Sequence, residues 1–184
     1  MTTIFILLGV AALILFYFVG VYNKLVRKRS MMEEGWSGID VQLKKRHNLI
    51  PNLVETVKGY AKHEKETLDQ VITARNAAAS AQNAKESIAA EGQLNSALAN
   101  IFALSEAYPD LKANTTFLNL QEELSAIEGD VEKARRYYNA TVRENNIMVE
   151  SFPSNLVAGI GNFDLGEFFE IEDEGQRASP DVKF

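Results

Sequence analysis

With 184 residues and no cysteine, the chain forms no disulfide, offers no thiolate to a metal, has no cysteine nucleophile and carries no lipoprotein anchor. A net charge of −6 and the lack of basic residues interleaved with aromatics argue against nucleic acid as a partner. The signs are segregated, with ten Lys/Arg against five acids over residues 24–65 and seven acids against two bases over residues 164–184.

The first element is an uninterrupted apolar run of nineteen residues, Ile4 to Tyr22. As a helix it reaches about 28 Å, close to the ~30 Å hydrocarbon layer of a bilayer. A cleaved signal peptide needs a basic start, a shorter apolar core and a small-x-small cleavage site, so the run reads as an uncleaved transmembrane anchor over residues 1–23. Lys24, Arg27, Lys28 and Arg29 follow at once, and basic residues are retained on the cytoplasmic side. The expected protein is therefore single-pass in the cell (inner) membrane, with its N-terminus outside and everything after residue 23 cytoplasmic. Tyr17 and Tyr22 suit an interfacial belt. The four basic side chains are candidate contacts to anionic lipid headgroups.

Beyond the anchor, apolar residues recur three and four apart, the pattern of helices packed around a shared core. Met32, Trp36, Ile39, Leu43 and Ile50 line one helix, with Arg29 and Arg46 on the same seam. Gly35 and Gly38 weaken that helix by roughly 1 kcal/mol each relative to Ala, so either it bends or another backbone approaches beside Trp36, which is expected to be buried. Asn48 reads as the cap of a second helix with Pro51 in its first turn, lined by Val54, Val57, Ala61, Glu64, Leu68, Val71 and Arg75. Asn83, with Glu86 three residues on, caps a third helix through Leu94, Leu98, Ile101, Ser105 and Tyr108, which stops at Pro109. The last long helix starts at Asn114 or Thr115 and ends before Pro153. Its seam is Phe117, Leu120, Leu124, Ile127, Val131, Ala134, Tyr138, Thr141, Asn145 and Met148. Four long segments with short breaks predict an all-α fold, an antiparallel four-helix bundle over residues 24–151 behind the anchor. Arg46, Glu64 and Arg75 are either buried charges that fix register or margin residues with solvated heads; the second is the commoner case.

Several stretches together resemble the LemA family. They are Tyr22-Asn23-Lys24-Leu25-Val26, Gly35-Trp36-Ser37-Gly38-Ile39-Asp40-Val41-Gln42-Leu43-Lys44-Lys45-Arg46, and the run from Asn48 to Tyr60 around Pro51. The likeness continues through Glu106 to Ala113, Ala134-Arg135-Arg136-Tyr137-Tyr138-Asn139 and Phe152-Pro153-Ser154-Asn155. Departures fall at Gly35, where the family pattern usually has Ala, and at Gly38, where it has a larger residue. The resemblance implies a short N-terminal anchor followed by a four-helix bundle and a link to membrane organisation, including a branch implicated in forming magnetosome membranes. It supplies no reaction.

The residues themselves supply none either. Carboxylate-bridged metal bundles need Glu-x-x-His pairs on one helix face, whereas Lys44 and Tyr60 stand three before His47 and His63. Both histidines read as solvated or interface residues. No glycine-rich phosphate loop follows a strand, and no Ser-His-acid set has turns to sit on. The expectation is a non-enzyme with no cofactor, no metal and no catalytic residue. An echo at an offset of 116, pairing Tyr22-Asn23, Val26-Arg27, Met32 and Glu34 with Tyr138-Asn139, Val142-Arg143, Met148 and Glu150, reads either as equivalent helix ends or as chance between similar helices.

Residues 152–184 form a tail, first aromatic and then acidic from Glu172 to Pro180. Its rings either dock on the bundle as a lid or meet a neighbour, which makes Phe152, Phe163, Phe168 and Phe169 candidate contacts to an oligomer or partner. The partners expected are the lipid bilayer, further copies of the chain and another membrane protein. Two functions fit: a self-associating scaffold that organises or remodels the membrane, or an accessory subunit docking a membrane enzyme such as a protease.

Overall fold

The computed structural model describes residues 1–169; the acidic stretch from Glu172 to Pro180 lies outside them. Every regular element among the described residues is a helix: α1 Thr2–Tyr60, α2 Lys65–Ser80, α3 Ala84–Ser105, α4 Pro109–Lys112, α5 Thr115–Glu150 and α6 Ser154–Gly161.

The 59-residue α1 is continuous from the apolar run into the core. This corrects the expected break at Asn48, since Pro51 lies inside α1 and the chain first leaves the helix at Ala61. A proline there deprives the carbonyl four residues back, that of His47, of its N–H partner. Arg75 replaces it, because its Nε donates to His47 O at 3.2 Å across the α1–α2 interface. The penalty of an internal proline is thus offset by a long-range bond that local sequence does not reveal.

The other helix starts follow local chemistry. The Asn83 side chain accepts from Glu86 N at 2.9 Å and that of Asn114 accepts from Phe117 N at 2.9 Å, each satisfying an otherwise free amide at a helix start. α5 runs antiparallel to α1, with Lys28 paired to Glu144, Gly35 against Tyr138 and Arg46 against Glu128. α1 does not break at Gly35. A Cβ on Gly35 would stand 3.2 Å from Tyr138 Cα and 3.3 Å from Thr141 Oγ1, so the missing side chain lets the two backbones approach. Gly38 has open space around it.

Three apolar clusters stack along α1. The distal one joins Ile50, Leu53, Val54 and Val57 of α1 to Leu68 and Val71 of α2, Leu94, Leu98 and Ile101 of α3, Leu111 of α4, and Phe117, Leu120 and Leu124 of α5. The middle one holds Ile39, Leu43, Val131, Tyr138, Val142 and Phe169, with Trp36 and Ile88 packed against it. The third, beside the apolar run, holds Val21, Leu25, Val157, Ala158 and Phe163. Trp36, expected to be buried, is half-buried, its ring edge-on to Tyr138 at 5.6 Å and tilted against Phe169 at 6.0 Å.

Candidate functional site

Between the distal and middle clusters lies a layer of charge. Arg46 and His47 follow the last apolar residue of the middle cluster on α1, and Glu91 falls three residues before Leu94 on the α3 seam. All three are buried. Arg46 Nη1 donates to Glu91 Oε2 at 2.8 Å, and His47 Nε2 lies 2.6 Å from Glu91 Oε1, so one carboxylate takes both partners. The second guanidinium nitrogen of Arg46 donates to Asn95 and lies 2.9 Å from Glu128 on α5. Arg135, two turns farther along the same edge of α5, is held below the usual guanidinium range chiefly by burial, with Glu128 and Glu91 opposing that shift. Its guanidinium carbon lies 4.6 Å from the centre of the Phe169 ring.

Of the two sequence-level alternatives for the seam charges, Arg46 takes the buried one. Glu64 and Arg75 are half-buried: the first accepts from Tyr108 Oη at 3.1 Å and the second holds the His47 carbonyl. His47 is not solvated, whereas His63 is exposed. Sequence analysis did not name Glu91, although the α3 spacing carried back from Leu98 and Leu94 lands on it. A cleft of about 500 Å³ opens on the His47 side, lined by Asp40, Lys44, Arg75 and Ser87 among others. Among the described residues no group of three His, Asp or Glu side chains converges as a metal site. Chemically, a buried carboxylate shared between an arginine and a histidine is suited to fixing helix register, although the Arg46 Nε is buried without a hydrogen-bond partner.

The second assembly lies at the N-terminal end of the body. Lys28 is paired with Glu144, holding that carboxyl below its usual range through the hydrogen bond and the ammonium charge. Arg29 lies over the Phe163 ring at 5.3 Å, while Lys24 and Arg27 project into solvent. Phe163 and Phe169 turn inward, into the third and middle clusters. Phe152 and Phe168 stay exposed. Of the two readings of the tail, the intramolecular lid therefore holds for the inward pair.

Residues 163–169 form an extended strap across α5, held by amide side chains. Asn146 Nδ2 donates to Gly166 O at 2.9 Å while its Oδ1 accepts from Gly166 N at 2.8 Å. Asn139 makes the same pair with Phe169, at 3.0 and 2.8 Å. The spacing matches: two helical turns on α5 and three extended residues on the strap both advance about 10 Å. Tyr138 Oη donates to Glu167 O at 2.9 Å, and burial, reinforced by the Glu167 charge, pushes the phenol above its ordinary range, so it remains a donor. A Cβ on Gly166 would collide with Met32 Sδ. The 116-residue echo dissolves here, because Asn139 clamps the strap while Asn23 is exposed. Sequence analysis missed the clamp, for an isolated asparagine on a helix gives no sign of the strand it will hold.

A model of the LemA family matches residues 35–184, beginning at the glycine where α1 meets α5. The chain belongs to the LemA family. This LemA family chain is 29% identical to Protein LemA of Metamycoplasma hominis over 157 residues, 84% of this chain and 72% of that one. It is also 29% identical over 91 residues to Magnetosome protein MamQ 2 of Paramagnetospirillum magneticum, 50% of this chain and 34% of the relative. Magnetosome protein MamQ of Magnetospirillum gryphiswaldense is 21% identical, across 84% of this chain and 66% of its own length. None of these names is that of an enzyme. The matched region excludes the first 34 residues, where α1 carries a stretch apolar and long enough to cross a membrane, almost all of it exposed. That stretch and the magnetosome relatives fit a membrane-associated protein.

Proposed function

We propose that this chain is a non-enzymatic, single-pass membrane protein of the cell (inner) membrane, N-terminus outside, whose cytoplasmic body is an antiparallel four-helix bundle that self-associates as a scaffold and thereby organises or remodels the bilayer. One observation carries the reading: α1 passes without a break from its exposed apolar residues into the core of the body. A stiff helix shared by both parts leaves no hinge, so contacts between bodies set the tilt of the membrane segments. Lys24, Arg27 and Arg29 supply headgroup contacts at the exit of the helix, and the exposed Phe168 is available for contact between copies.

The test is the mass of the full chain in mild detergent and the shape of vesicles into which it is reconstituted. A large homogeneous particle and deformed vesicles are expected. A flexible glycine-serine insertion after Arg29 should keep the particle and abolish the deformation. A monomer at every ionic strength, on round vesicles, overturns the scaffold. The adaptor reading draws on the cleft of about 650 Å³ between α3 and the strap, lined by Ile88, Leu165 and Phe168 among others; a monomer that co-purifies with one membrane enzyme would select it. Protease added outside intact cells should spare the body, and digestion would reverse the orientation.

A further inference from the structure

α6 is apolar beyond its first two residues yet buried on only one side. Its inner face, Val157 and Ala158, is 3% and 2% exposed, whereas Leu156 and Ile160 on the opposite face are 59% and 70% exposed and Phe152, just before the helix, is 79% exposed. At about 100° per residue Leu156 and Ile160 point within ~40° of each other, one turn apart, away from the inner pair. Ser154 and Asn155 are the only polar side chains in the helix, and no acidic residue lies between Ser151 and Phe163. A helix of this composition belongs in a protein core or in lipid.

Its position selects lipid. The inner face packs on Val21 and Leu25 with Phe18 and Val26 beside them, so α6 sits level with the end of the apolar run at Tyr22. Phe18 lies about 6 Å on the lipid side of that end at 1.5 Å per residue, within the ~5–10 Å depth reached by helices lying in a membrane interface. The surroundings agree. Lys24, Arg27 and Arg29 are exposed at the same level, and Tyr22 meets the Phe163 ring edge-on at 5.5 Å. The helix is also preformed: Asn162, in the left-handed region at φ 50°, closes its C-terminus and sends Phe163 back into the cluster that holds α6.

We propose that α6 is a second membrane-contact element, an interfacial helix whose outer face of Phe152, Leu156 and Ile160 lies at the boundary of lipid headgroups and acyl chains beside the exit of α1. The inference rests on the anchor reading above and adds to it a second point of contact. A single spanning helix leaves rotation about its own axis free; a second contact fixed to the same rigid body removes that freedom and presents one side of the body to each neighbour. It also places apolar volume in one leaflet only, a geometry sensitive to curvature.

The absence of cysteine makes the test direct. Full-length variants Leu156→Cys, Ile160→Cys, Leu8→Cys and Ser125→Cys are labelled with an environment-sensitive fluorophore and reconstituted into phosphatidylcholine vesicles containing a minority of phosphatidylglycerol. Nitroxides are carried either near the headgroup or deep on the acyl chain. Trp36 emission, unchanged, certifies the fold of each variant. The labels at 156 and 160 should be blue-shifted and quenched about two-fold more strongly by the shallow nitroxide than by the deep one. The label at position 8 should be quenched by the deep one and that at 125 by neither. Quenching at 8 with water-exposed labels at 156 and 160 overturns the interfacial helix and leaves the anchor standing. Blue-shifted labels at 156 and 160 that no lipid quenches mean that protein covers the face, which also overturns the proposal. No quenching at position 8 would instead defeat the anchor reading.

Discussion

The distal half of the body closes on side chains from α1, α2, α3 and α5, whereas the half nearer the apolar run has only α1 and α5 as long walls and completes its core with a strap and a short helix. The difference shows two solutions to one problem. Where helices surround a core, their backbone polar groups are already paired along each axis, and the contact surfaces need only apolar side chains. Where an extended strap takes the place of a helix, its N–H and C=O groups arrive unpaired and need partners. Asn139 and Asn146 provide them with paired bonds. At the inner margin of the distal half lies the buried Glu91 layer, where Arg46 and His47 each take one oxygen of the carboxylate.

The comparison is broken most severely at that layer. Glu91→Ala strips the buried His47 imidazole of its carboxylate and leaves the Arg46 guanidinium only Asn95 and Glu128, and should cost about 3–5 kcal/mol in chemical unfolding in mild detergent. A loss under ~1 kcal/mol would show the layer to be hydrated and unimportant to the core. Next comes the bond that accommodates Pro51. Arg75→Ala should cost about 1.5–3 kcal/mol, the range for a hydrogen bond to a charged donor. In a Pro51→Ala background, where residue 51 can again donate to His47 O, the same change should cost clearly less; equal costs in a double-mutant cycle would dissociate Arg75 from the proline.

At the other end, Asn139→Ala and Asn146→Ala should each cost about 1 kcal/mol per lost bond, with an effect confined to the strap. Because Trp36 touches Phe169 and is the only tryptophan, its emission should shift to longer wavelength on strap release before the distal core melts. Simultaneous loss of both signals would mean that the two halves form one cooperative unit. The smallest effect belongs to the exposed Lys28–Glu144 pair. Glu144 is depressed in the folded chain, so its contribution is present at neutral pH and lost as the pH falls through and below the ordinary glutamate range. Lys28→Gln should lower neutral stability slightly and flatten the acid-side decline in thermal melts by that same small amount.

The sequence by itself determined the helical class, the family, and the seams. The three-and-four spacing places Phe117, Leu120, Leu124, Val131, Tyr138, Thr141 and Asn145 on the buried side of α5, because burial of a helical face is periodic and periodicity survives in one dimension. It also determined the cap at Asn83, which depends only on a residue three away, and put the start of α5 at Asn114 or Thr115. Tertiary structure alone decided that α1 runs through Pro51, since the compensating donor comes from α2. It decided that Gly35 marks a close approach while Gly38 does not, and that Arg46 goes inside, where Glu91 and Glu128 meet it from two other helices. It also sorted the tail phenylalanines into an inward pair and an exposed pair. In each case the deciding partner is distant along the chain, and no local spacing encodes a partner whose position is set by how the helices pack.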